Sequence, residues 1–415
     1  MMTPVRTIGV VTGSRADYGH LLPVLRKIRE APDLALHLLV TGMHLAPEFG
    51  LTVRQVEADG FALGDRIEML LSSDTPDGIA RSMGLGTIGF AQSFSRLRPD
   101  LLVVLGDRFE IHAAALAALP FAIPVAHIHG GEVTSGVIDD ALRHSITKLS
   151  HLHFAATEES ARRVIQMGEE PWRVEVCGAP GLDQLRTIQP LDADALSTEY
   201  DLVLQPPPLL VTYHPVTLEP GQAERQVREL LGALEASGMP VVFTTPNADA
   251  GGRLITEALA EFVRAHPSAR LLANLGTQAY WSLMRQAAAM VGNSSSGIIE
   301  APSFGVPVIN IGTRQQGRVR AGNVIDVGCC REEILDGIRT AVSPAFRARL
   351  KGMRNPYGDG HAAERIVKRL EAVALDEALI RKRFTDVPSS SALSDPAQER
   401  ILGKPGRSVP QVAQR

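Results

Sequence analysis

Carboxylates, histidines and serines in this chain gather directly behind short apolar runs, where an open α/β sheet presents side chains to a ligand. Asp107 follows the run Leu101–Leu105 in the stretch Leu-Gly-Asp-Arg-Phe-Glu. As a helix cap it contributes about 1 kcal/mol; projected into a cleft, with Arg108 beside it, it is a candidate base. His127-Ile128-His129-Gly130-Gly131-Glu132 ends the next run, and Asp139-Asp140-Ala141-Leu142-Arg143 comes shortly after. The paired glycines let backbone amides approach a ligand closely. Asp139 and Arg143, four residues apart, share a helix face. They form either a weak surface ion pair or a carboxylate kept ionised by Arg143 for proton transfer at carbon. His127 and His129 make a His-x-His pair, but no third ligand stands at a zinc-site spacing, so no metal is expected.

Two further clusters suit binding. Ser14 and Arg15 in Gly-Ser-Arg-Ala-Asp-Tyr open a helix without the glycine-lysine pattern of a P-loop, and Arg15 can meet a phosphate. Gly292-Asn293-Ser294-Ser295-Ser296-Gly297 is followed by Glu300 and by Arg314. A serine-rich turn opening a helix offers free amides, hydroxyls and a positive dipole end to a diphosphate. Glu300, one to two turns on, can accept both hydrogen bonds of a ribose diol. His214 stands on a proline-stiffened turn and suits proton shuttling near neutral pH. Asn247 ends another strand and serves either as a helix cap or as a ligand for hydroxyls.

The elements that must hold these groups repeat along the chain. Apolar runs at 6–12, 35–41, 101–105, 123–128, 153–156 and 174–177 alternate with helical stretches, and so do those at 209–212, 240–244, 269–272, 289–291 and 307–311. Continuous apolar strands alternating with helices predict parallel sheets covered on both faces. Between Ala179 and Leu209 a segment with Pro190 and the run Pro206 to Pro208 breaks both periodicities and reads as interdomain. The expected fold class is therefore α/β, with two doubly wound Rossmann-like domains and a ligand cleft between them. The first domain is expected over 1–180 and the second over 190–355. An amphipathic helix over 358–380 is expected to return to the first domain, and a poorly ordered tail to occupy 386–415.

Composition narrows the class. The chain has 415 residues, a formal charge of −4 and three cysteines, Cys177, Cys329 and Cys330, in no disulfide or metal pattern. No long basic stripe predicts nucleic-acid binding. No signal-peptide pattern and no run of about 18 uncharged apolar residues is present, so a cytoplasmic protein without a membrane partner is expected.

Taken in order, the blocks SRADYG, LGDRFE, HIHGGE, DDALRHSITKLSH, YHPVT, PNADAG and GNSSSGIIE with GVPVINIGTRQ resemble the hydrolysing UDP-N-acetylglucosamine 2-epimerases of sialic-acid synthesis. They are similar as well to epimerases of legionaminic-acid synthesis, which act on a 2,4-diacetamido trideoxy sugar nucleotide. The resemblance implies a glycosyltransferase-B-like architecture, a UDP-sugar as substrate partner, no cofactor, and a homo-oligomer, dimer or tetramer. It implies elimination of UDP to a 2-acetamidoglycal, then hydration with inversion at carbon 2. By motif position Asp107 and Asp139 match catalytic carboxylates and His214 an active-site histidine. Arg15 and Arg143 match arginines of the diphosphate and of the acidic cluster, and Arg314 a cleft arginine. Ser294 and Ser295 match diphosphate serines, and Glu300 the ribose acid. One departure stands out: His129 occupies a position where some members carry a glutamate, leaving either Glu132 or His129 as the third acid/base. A non-hydrolysing epimerase, a glycosyltransferase and a catalytically dead sugar-nucleotide sensor are the competing readings. The paired Asp107 and Asp139 speak against the last two.

Overall fold

The computed structural model describes residues 5–71, 75–134, 138–216, 219, 221–246, 252–272 and 275–386. Asn247 and the expected tail beyond Asp386 lie outside the described residues.

The first sheet has seven parallel strands: β1 (Arg6–Thr12), β2 (Leu34–Thr41), β3 (Leu63–Ile67), β4 (Leu101–Leu105), β5 (Val125–Ile128), β6 (Leu152–Ala155) and β7 (Val174–Val176). They lie in the order 3-2-1-4-5-6-7. The second sheet has six: β8 (Leu209–Thr212), β9 (Val241–Thr244), β10 (Ala269–Leu272), β11 (Ala289–Gly292), β12 (Val308–Ile311) and β13 (Val324–Val327), in the order 10-9-8-11-12-13. In both sheets the order reverses beside the first strand, between β1 and β4 and between β8 and β11. Ligands of open α/β sheets bind at that reversal, outside the carboxyl ends of the strands.

Central strands are buried throughout. β4 (LLVVL), β5, β8 and β11 expose no residue, as expected of parallel strands covered on both faces. On one face of the first sheet, Leu21, Leu25 and Ile28 of the helix Arg15–Glu30 pack against Ile8, Val10 and Val103. On the other, Phe90, Phe94 and Ile111 pack against Val11, Leu102 and Val104. Each fully buried side chain of this size stabilises the fold by roughly 1.5–3 kcal/mol.

The C-terminal helix Ala362–Ala372 packs on the first sheet's core, through Ala363, Ile366, Val367 and Leu370. The segment after it is clasped by fully buried Arg173, which donates to the carbonyls of Leu379 (2.8 Å) and Ala378 (2.7 Å).

Two stretches differ from the sequence reading. The proline-broken segment between Ala179 and Leu209 is folded. A 3-10 helix, Pro180–Arg186, lies against the helix Arg15–Glu30, and the helix Ala193–Tyr200 buries Leu196 with Leu202 and Leu204 in the second core. Strands β3 and β13 are also present. Both are sheet edges of mixed exposure, lacking the continuous apolar run by which the inner strands are read.

Candidate active site

The two switch points face one cleft. A cavity of about 700 Å³ runs along it, lined by Arg15, His20, Tyr280, His214, Ser294 and Glu300, among others. A second cavity of about 180 Å³ adjoins it, with Asp107, His129, Glu132, Arg143, Ser295 and Arg318 in its wall. His20, Gly181 and Glu300 line both, so the two cavities form a continuous wide and narrow compartment.

The narrow compartment is built by the ends of β4 and β5 and the helix Ile138–Leu149. Asp107, one residue beyond the turn at Gly106, forms an ion pair with Arg143, whose side chain is almost fully buried. Arg143 also donates to the Glu132 carbonyl (2.9 Å), Thr134 Oγ1 (3.0 Å) and Asp140 (3.4 Å). The expected pairing of Arg143 with Asp139 is therefore corrected: its carboxylate partners are Asp107 and Asp140. Asp139 makes no ion pair with Arg143 among the described residues. Burial and the neighbouring negative charge of Asp107 push its pKa up, with Arg108 and Arg143 only partly opposing. Two adjacent carboxyl groups, one bound to an arginine and the other biased toward its proton, are an arrangement for acid–base work.

Arg108 turns away from a direct ligand role. Its guanidinium is paired with fully buried Glu110 at 2.7 Å. Its charge reaches Asp139 at longer range.

His129 and Glu132 are joined. His129 Nδ1 lies 2.7 Å from Glu132 Oε1, and Arg318, from beyond β12 in the second half, lies 3.4 Å from Glu132 Oε2. Both neighbours, His129 and Arg318, hold the Glu132 carboxyl far below the usual range, despite its burial. The paired glycines do other work than the sequence reading gave them. A Cβ on Gly131, which has φ +78°, would stand 2.1 Å from the Ser160 carbonyl oxygen, so close packing on the helix Glu158–Gln166 demands the glycine. His127 and His129 face different partners: His127 Nε2 lies 2.7 Å from the Gly106 carbonyl oxygen, and burial pushes its pKa down to about 3. His153 and His151 are structural: the first meets Glu169 at 3.1 Å, and the second accepts from the Val125 amide.

The wide compartment is built by both halves. Ser14 caps the helix Arg15–Glu30, and Asp17 closes the capping box, accepting from the amides of Gly13 and Ser14 at 2.8 Å each. Those amides are thus consumed by Asp17, and exposed Arg15 is the cluster's charged contribution to the cleft wall, beside Ala16 and Tyr18. Across the cleft, Ser294 caps the helix Ser295–Ile299. That helix has five residues, so its dipole is small and hydroxyls and amides carry most of the attraction for an anion. Asn293 fixes the loop of His214 by two hydrogen bonds, 2.7 and 2.8 Å, and its own carbonyl accepts from Arg314 (3.1 Å) and Gln315 (2.8 Å). Burial, aided by the charge of Arg314, pushes the His214 pKa down to about 3, so its imidazole is neutral at pH 7.

Glu300 is the most exposed to energetic cost. Its Oε2 is buried without a hydrogen-bond partner among the described residues. Burial pushes its pKa up, against the pull of Ser296 and Arg318. A carboxylate oxygen buried without a partner at a cavity wall is expensive unless a ligand supplies a donor. His20, Arg318 and Tyr280 line the cavities and were missed by sequence reasoning, and Asn293 was read only as part of the serine-rich turn. His20 lies two residues after the SRADYG block's tyrosine, inside a helix, and carries no motif of its own.

The family model for UDP-N-acetylglucosamine 2-epimerase matches residues 26–371. The UDP-N,N'-diacetylbacillosamine 2-epimerase (hydrolyzing) of Legionella pneumophila is 38% identical over 91% of this chain and 99% of its own length. The GDP/UDP-N,N'-diacetylbacillosamine 2-epimerase (hydrolyzing) of Campylobacter jejuni is 41% identical over 77% of this chain and 84% of its own. The crystal structure of UDP-GlcNAc 2-epimerase from Neisseria meningitidis, bound to UDP-GlcNAc, superposes with a TM-score of 0.76. It is 19% identical and covers 88% of this chain and 99% of that one, which establishes a shared fold. With its cleft, its acid cluster and this match across most of its length, the chain belongs to the UDP-N-acetylglucosamine 2-epimerase family.

Proposed function

We propose that the protein is a hydrolysing UDP-sugar 2-epimerase. The observation that carries this reading is the division of the cleft. Ser294, Arg15 and Glu300, whose Oε2 is buried without a partner among the described residues, line the wide compartment, and the Asp107–Arg143 pair lines the narrow one with Asp139 close enough to feel the charge of Asp107. A diphosphate bridging the two would put the ribose against Glu300 and the sugar among the acids. In the first step a base takes the proton from sugar carbon 2, the C–H electrons form the carbon 1–carbon 2 double bond, and UDP departs with the pair of the carbon 1–oxygen bond. In the second, water adds: hydroxyl to carbon 1, and a proton to carbon 2 from the opposite face. The Asp107–Asp139 pair, in which the pKa of Asp139 is pushed up by burial and by the charge of Asp107, suits delivery of that proton.

For the sugar, a 2,4-diacetamido-2,4,6-trideoxy hexose on UDP is the substrate we favour over N-acetylglucosamine. Two relatives at 38% and 41% identity carry that specificity in their names. With UDP-N-acetylglucosamine the product would instead be N-acetylmannosamine. The test is release of free UDP from each nucleotide sugar, followed with a coupled assay. A kcat/KM at least ~10-fold higher for the diacetamido sugar is expected, since groups built to hydrogen-bond a second acetamide lose partners with the simpler sugar. UDP release from neither would overturn the hydrolytic reading.

A further inference from the structure

The narrow compartment contains a second acid–base device, made of an imidazole and the carboxylate that holds it. His129 has φ +66°, the left-handed region that few non-glycine residues adopt, and its amide is tied to the Phe154 carbonyl at 3.0 Å. Its Nδ1 lies 2.7 Å from Glu132 Oε1. Glu132 is buried and ionised, and Arg318 takes its other oxygen. A carboxylate oxygen can only accept, so Nδ1 carries the hydrogen. In the neutral ring that leaves Nε2 with a lone pair and, among the described residues, with no hydrogen-bond partner. The side chain is 15% exposed, and the space it is exposed to is the cavity it shares with Asp107.

We infer that His129 is a catalytic base whose Nε2 takes a proton from the sugar, and that Glu132 is the positioning residue that fixes its tautomer. The inference rests on the hydrolysing-epimerase reading above. It assigns His129 the proton of carbon 2 in the elimination: the proton goes to Nε2, the C–H electron pair enters the new double bond, and UDP leaves. The resulting imidazolium is stabilised by Glu132, as a buried carboxylate stabilises a charged histidine partner. Inversion at carbon 2 requires that the returning proton arrive from the other face, which leaves that delivery to the Asp107–Asp139 pair. Glu132 itself is unsuited to the transfer. Both its oxygens are engaged, and its carboxyl is held far too acidic to be an effective base. The charged and titratable groups around the ring include Glu132, Arg318, Arg143, Asp107, Glu300, His20 and His127.

Chemical rescue tests this. His129→Gly fits the left-handed backbone and opens a space of imidazole size. It is expected to lower kcat at least ~100-fold, to leave UDP affinity by calorimetry unchanged, and to regain at least ~10-fold of the loss with added imidazole in a saturable way. His129→Gln keeps a donor toward Glu132 but offers no base, so it should show the same loss without rescue; it also serves if the glycine variant does not fold. Glu132→Gln should lower kcat with little change in KM. Near-normal kcat in His129→Gln, or a folded His129→Gly variant whose lost activity imidazole leaves untouched, would overturn the assignment. If the unmodified protein releases no UDP, the functional reading itself fails, which is a separate outcome.

Discussion

Asp107 is ion-paired with Arg143, and its charge raises the cost of ionising Asp139, which Arg108 and Arg143 only partly offset. Unequal surroundings of this kind suit two neighbouring carboxyl groups to acid–base work. Asp107→Asn and Asp139→Asn should each lower kcat at least ~100-fold, with UDP binding by calorimetry retained. Glu300 carries the opposite logic. Its folded pKa is raised, so ionised Glu300 destabilises the protein above the ordinary carboxylate range. Glu300→Gln should therefore raise the melting temperature while weakening UDP affinity roughly 10-fold, a loss typical of a charged hydrogen bond to a ligand. A variant that is both less stable and equally tight would contradict the reading of that carboxylate. Asp107, Ser294 and Glu300 were legible as cleft positions because each follows an apolar strand or a serine turn. The partner of Arg143 was not. Asp139 and Asp140 are adjacent, and a helix-face count of four cannot foresee that the loop at Thr134 draws in Asp140.

At the scale of elements, strands β4 and β5 end side by side and deliver Asp107 and His129 to one cavity. Their placement depends on tight packing behind the glycines. Gly131→Ala would drive a methyl group into the Ser160 carbonyl, and should destabilise the fold by about 3 kcal/mol or more. Gly130→Ala meets His127 and Thr147 at 3.0 and 3.1 Å, side chains that can yield, and should cost less. Thermal unfolding of the two variants distinguishes them; equal melting temperatures would contradict this account of the turn. The glycine pair was visible as a motif, but its use was not, because a left-handed turn facing a ligand and one facing a helix have the same sequence signature. The inner strands were readable from their apolar runs to within one or two residues. The edges β3 and β13 were not, since a half-exposed strand has no such run.

The whole molecule joins two sheets whose switch points oppose each other, with Glu132 of the first half and Arg318 of the second paired across the narrow compartment. The helix Ala362–Ala372 and the segment clasped by Arg173 return the chain's end to the first sheet. No helix of the described residues is long and apolar enough to cross a membrane. Both sheets bury uncharged imidazoles. Burial depresses His127 and His214 to about 3 and His151 to about 4, from 6.5. In the unfolded chain these rings protonate near 6.5, so the unfolded state binds more protons below that pH. Stability should be full above about 6.5 and fall, by about 1 kcal/mol per ring per pH unit, as pH drops toward 4. Glu169, held at about 2 by His153, Lys148 and Lys382, adds a loss below about 4.5. Calorimetry from pH 8 to 4 should show a melting temperature that is level and then declines; a maximum near pH 5 would contradict this.

The central claim is that the cleft breaks the sugar–diphosphate bond and inverts carbon 2 through a glycal. Its most direct test is NMR of the products formed from the UDP-2,4-diacetamido trideoxy sugar and from UDP-N-acetylglucosamine in deuterated water. The account predicts free UDP and an equal amount of free 2-epimeric sugar carrying deuterium at carbon 2. A product still bonded to UDP, or a free sugar that keeps its original hydrogen at carbon 2, would contradict it.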